Sequence, residues 1–155
     1  DLATLFLLES RLVGRGEDVT YGEIHLAADV DRPAIVDRIK AKLNDPNRTM
    51  LGFEQEAWLA DGLKQSAAAG RKWQVLGNQV TMAKVQMPDL QRHLTPEQYA
   101  TLSQGAKRSY STARWGLEWN PDAWSGYPQA RERLYQAAKA ANARLVTLTG
   151  DTHTS

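Results

Sequence analysis

Strands alternating with amphipathic helices place this sequence in the α/β layered class. Three observations predict it: a nearly continuous apolar run over Leu2–Leu8, a helical period over Tyr127–Ala141, and a strand-like Leu145–Thr149 directly after it. The 155 residues fit one ordinary domain or a compact part of a larger one. Apolar residues make up 42 % and charged residues 24 %, which argues against a disordered chain.

Leu2–Leu8 has the pattern of a strand buried on both faces. Residues 14–29 are mixed and glycine-containing, so they read as loop. Asp31 and Pro33 give a helix start, Ile35, Ile39 and Leu43 its apolar face, and Asn44-Asp-Pro46 its end. A second helix is expected from about Gly52 to Ala69, with Trp58, Leu59 and Leu63 as its core stripe and Gly70 as its cap. Trp73–Leu76 is a short strand closed by Gly77. Thr95-Pro-Glu-Gln98 is a capping box, set within a polar, irregular stretch over 84–125 that has the length of a cover loop. Tyr127, Ala130, Leu134, Ala138 and Ala141 share one face of a 3.6-residue period, Asn142 ends that helix, and Arg144–Thr149 is a strand.

Nineteen basic and eighteen acidic side chains nearly cancel, so no global field gathers nucleic acid or an anionic membrane. There is no cysteine, which removes disulfides and thiolate metal sites. No apolar stretch is long enough to span a bilayer and no signal peptide is visible. The chain opens without methionine inside an apolar run, and upstream sequence is expected.

Chemistry concentrates at the last strand, which runs into Gly150-Asp151-Thr152-His153. In open α/β sheets ligands bind beyond the carboxyl ends of the strands. A carboxylate and an imidazole two residues apart there suit a cation of intermediate hardness; a plain turn is the competing reading.

Five blocks in order extend this. Leu5-Phe-Leu-Leu-Glu-Ser-Arg11 resembles an "LDTR" strand, Thr49–Leu59 an "mLGxeQxxWL" helix, and Trp73–Val80 a "WkvlgnQv" strand. Trp124–Leu134 resembles a "WDGYPaaRerl" helix and Leu148–His153 an "ltGDxH" turn. Together they resemble the PhoD-like alkaline phosphatases and phosphodiesterases, within the calcineurin-like metallophosphoesterases. The resemblance implies part of a four-layer αββα sandwich with mixed sheets, the chain being the second half of a catalytic domain. It implies Asp151 and His153 as metal ligands and Gln79 at a strand-end ligand position, with Asn78 as the less favoured neighbour. The implied cations are iron and calcium, the substrate a phosphate mono- or diester, and the location extracytoplasmic. The pattern departs at Glu9-Ser10, where the family has Asp-Thr, and at Ser125, where it has Asp. The family's upstream ligand blocks, an Asp near the start and a "DDHE"-like turn, are absent. An isolated or degenerate α/β piece without catalysis is therefore the rival reading.

Other residues keep two readings. Arg11, at a strand end, anchors a phosphate or pairs with a carboxylate. Arg131 binds phosphate or, like Arg133, is solvated or paired near Glu132. Trp115, Trp119 and Trp124 pack the long loop or wall a substrate cleft. Trp58 and Trp73 are expected in the core, and His25 and His93 on the surface.

Overall fold

β1 (Ala3–Leu7), β2 (Trp73–Asn78) and β3 (Leu145–Thr149) form one parallel sheet in the order β1-β2-β3. The computed structural model describes residues 1–150, apart from the side chain of Gln91. Phe6 lies beside Leu76 and Leu76 beside Thr147; one residue on, Leu7, Gly77 and Leu148 align. The helices are α1 (Gly22–Leu26), α2 (Arg32–Leu43), α3 (Phe53–Ala68), α4 (Pro96–Thr101), α5 (Gln104–Ala113) and α6 (Pro128–Ala140). A strand order that steps one way with crossovers of one hand puts both long crossover helices on one face. There α3 and α6 pack on each other and, with β1 and β2, enclose the main core of Phe6, Leu59, Leu63, Leu76, Trp124 and Leu134. Leu63 and Leu76 are fully enclosed, and burial of such a side chain stabilises by roughly 1.5–3 kcal/mol. A smaller core gathers Val19, Ile24, Val36, Ile39, Leu43 and Leu117.

The alternate face of the sheet is bare. Leu5, Leu7 and Leu148 are 59 %, 73 % and 59 % exposed. This corrects the expectation that the first strand is buried on both faces: its apolar composition is two-sided, but only one face has a partner among the described residues. Trp58 and Trp73 differ likewise, at 52 % and 37 % exposed. Trp58 sits at the sheet's edge, its ring edge-on to Phe6 at 5.8 Å.

Other expectations were met or moved. The capping box forms, with Thr95 Oγ1 accepting from Gln98 N and Gln98 Oε1 accepting from Thr95 N. Asp31 precedes α2 without a side-chain cap, being already in helical geometry. β2 runs two residues further, through Gly77 and Asn78. The segment read as loop contains α1, held by buried Ile24, and the irregular stretch contains α5, capped by Ser103. Arg133 pairs across to α3 rather than near Glu132: its Nε and Nη2 donate to Glu56 at 2.7 and 2.9 Å. No helix among the described residues is long and apolar enough to cross a membrane.

Candidate functional site

Three parallel strands end at the same edge, and their exits border an open cleft of about 640 Å³ lined by Leu7, Arg11, Gly77, Gln79, Leu148 and Gly150. This is the edge where the sequence placed the site. Its walls are held by an interlock between the strand exits and α3.

The segment leaving β1 is gripped from both sides. Gln79, just past β2, accepts from Ser10 N at 3.0 Å and from Ser10 Oγ at 2.7 Å through one atom, Oε1. A backbone N–H can only donate, so the carboxamide oxygen must face it. On the other side, Gln55 of α3 accepts from Glu9 N and donates to Glu9 O, both at 2.8 Å. The Glu9 carboxylate turns back on its own loop and accepts from Arg11 N at 2.6 Å and Leu12 N at 3.0 Å. Those two backbone donors hold its pKa below the ordinary carboxylate value. Gln79 borders the cleft. A carbonyl oxygen has two lone pairs, and Ser10 engages both, so the group also braces the loop.

Arg11 meets a carboxylate. Its Nη1 lies 2.5 Å from Asp122 Oδ2, and Arg15 pairs with the other oxygen of Asp122 and donates to its carbonyl at 3.0 Å. Asp122 thus fastens Arg11 at the rim, between the strand-end cleft and a second cavity of about 280 Å³ bordered by Val85 and Trp119.

Asn78, at the end of β2, borders the cleft, and Trp124 stands behind it. Trp124 is wholly buried, its indole Nε1 donating to Asn78 Oδ1 at 3.1 Å, while Asn78 Nδ2 donates to Val80 O at 2.5 Å. Trp124 has no exposed surface among the described residues. Arg131 likewise donates to Met82 O at 3.2 Å, anchoring the start of the cover segment. Of the three tryptophans, Trp115 packs against the smaller core and Trp119 borders the second cavity.

Among the described residues no three His, Asp or Glu side chains are grouped to hold a metal ion. Glu9 and Gln79 are both engaged in the loop frame. Asp151 and His153 lie outside the described residues.

Sequence reading missed Ser10, Gln55 and Asp122 as parts of this frame. Gln55 and Gln79 carried a signal, since each is a polar side chain set among core residues, where an amide must be satisfied.

The family model described as PhoD-like phosphatase matches residues 1–155. Alkaline phosphatase D of Bacillus subtilis (strain 168) is 36 % identical over 112 residues, 72 % of this chain. The chain spans about 15 % of the length of that curated relative. No solved structure matches. By the match along its whole length, the chain belongs to the PhoD-like phosphatase family.

Proposed function

We propose that the complete protein hydrolyses phosphate mono- and diesters at the carboxyl edge of this sheet. The observation that carries the reading is the convergence of β1, β2 and β3 on one cleft with Arg11 fixed at its rim, in a chain of this family. The name of the Bacillus subtilis relative, alkaline phosphatase D, supports the same reaction class.

In this proposal Asp151 and His153, the second and fourth residues after β3, supply the carboxylate and imidazole that hold iron and calcium. A cation so bound supplies a water of lowered pKa and Lewis acidity toward phosphoryl oxygen. Arg11, steadied by Asp122, offers a guanidinium that matches phosphoryl geometry. Gln55 and Gln79 keep the β1 exit from drifting, and a displacement of about 1 Å is enough to slow a positioned reaction roughly 100-fold. A second sheet lying on Leu5, Leu7 and Leu148 would complete the four-layer sandwich. Phosphate scavenging outside the cytoplasm suits such an activity.

A second reading holds these 155 residues alone to be inert, because the family's upstream ligand blocks do not occur in them. The two readings separate in one assay with iron and calcium against a chromogenic phosphomonoester and its bis-ester. The complete protein should turn over both and the 155-residue chain neither. Failure of the complete protein on both esters would remove the proposal.

A further inference from the structure

A second, polar cleft of about 520 Å³ opens between the α1–α2 corner and α5. Arg32, Lys107, Arg108 and Arg114 border it, with His25 beside them. Its wall holds one carboxylate, Asp29, and that is already paired with Arg32. Lys107 is steadied by Ala100 O at 2.9 Å and by the Tyr99 ring at 5.8 Å. Among the described residues, no carboxylate pairs with the Arg108 or Arg114 guanidinium.

A surface cation ordinarily points away from its neighbours into water. Here four of them border one concavity, in a chain whose total charge is only +1. A concave wall of one sign concentrates its field. Guanidinium forks without a carboxylate partner suit the paired oxygens of a phosphate group. The space also exceeds what one phosphate needs, since a water molecule takes about 30 Å³.

We propose that this cleft is a second anion site, separate from the strand-end cleft, which binds a ligand bearing several linked phosphate groups. Arg108 and Arg114 grip it, with Lys107 and Arg32 adding charge. The site does not depend on the hydrolase reading, because none of its residues borders the strand-end cleft.

His25 provides a local reporter. Burial lowers its pKa first, and the charges of Arg108 and Arg32 lower it further. Its ring Nδ1 lies 3.4 Å from Ser111 Oγ, and Asp29 is the one acid on the shared wall. An anion seated among these cations offsets them and must raise the His25 pKa.

The test uses the complete protein stripped of metal, with histidine labelled at Cε1 and the His25 signal assigned by its loss in His25→Gln. Tripolyphosphate and inorganic phosphate are titrated in separate arms, with affinity read by calorimetry. Tripolyphosphate should bind and move the His25 titration to higher pH. Inorganic phosphate should bind more weakly, by roughly tenfold or more, having fewer charge-assisted contacts. The exposed pair Arg108→Ala with Arg114→Ala should weaken tripolyphosphate by at least roughly tenfold, and Arg108→Lys with Arg114→Lys should recover only part of that loss, keeping the charge but not the bidentate fork. Absence of tripolyphosphate binding would overturn the proposal. So would binding that leaves the His25 titration unmoved and is unchanged in the double alanine variant. Equal affinity for the two anions would overturn the claim of several linked phosphates.

Discussion

Ser10 gives both its backbone N–H and its hydroxyl to the carboxamide oxygen of Gln79, tying together the exits of two neighbouring parallel strands. Ser10 is wholly buried, so no water replaces Gln79 if the amide is lost. Gln79→Leu should therefore destabilise the protein by about 2–4 kcal/mol, from two stranded buried donors. Gln79→Glu, which keeps an acceptor, should lose less. Urea unfolding of metal-free protein decides the matter. A bracing residue shows the loss without metal, whereas a pure ligand leaves metal-free stability unchanged.

Trp124→Phe tests which tryptophan role is correct. The change strands Asn78 Oδ1 and leaves a gap behind β2, a loss of about 2–3 kcal/mol in unfolding experiments. The KM for phosphate esters should stay within about twofold of wild type if the loss is confined to stability. A large rise in KM with unchanged stability would return Trp124 to the cleft wall.

Gly126 allows the turn into α6 to close on itself. A Cβ at this position would collide with the carbonyl of Pro121, a backbone group unable to swing aside. Gly126→Ala should destabilise by about 3 kcal/mol or more, at the upper end of overpacking effects. Gly70→Ala meets no neighbour, but its φ of +74° is itself unfavourable for a side chain. That variant should lose about 1 kcal/mol. Thermal melts of the two rank them.

Glu9 makes the stability of the β1 exit depend on pH. Its folded pKa is lowered by the N–H groups of Arg11 and Leu12. A lowered folded pKa means the unfolded chain takes up the proton first on acidification. The contribution is therefore fully present above the unfolded value near 4.5 and is lost as pH falls through the folded value. Carboxyl NMR titration should place Glu9 below a free glutamate, and Glu9→Gln should flatten the acid limb of the stability profile. A Glu9 titration at the free value would contradict the loop geometry.

The elements with a strong apolar period were legible. α6 shows its buried face as Ala130, Leu134 and Ala138, and α3 shows Leu59 and Leu63. α1 was not legible because one turn with a single buried residue, Ile24, has no period to detect. α5 was hidden for another reason. Its sequence carries Gly105, Ser109, Ser111 and Thr112 and no aliphatic stripe, and its hydroxyls are absorbed by bonds to preceding carbonyls. A cleft at the strand ends followed from the α/β pattern alone. The partners of Arg11 and Gln79 did not, because Asp122 and Ser10 are 111 and 69 residues away in the chain and only the fold brings them close.

The most direct test of the proposed centre is the hydrolysis of a chromogenic phosphate ester by the complete protein carrying Asp151→Ala or His153→Ala, with bound metal measured on the same samples. Both variants should retain the fold, lose bound metal and fall in kcat/KM by about 100-fold or more. Wild-type turnover with wild-type metal content in both would contradict the assignment of the strand-end edge as the hydrolytic centre.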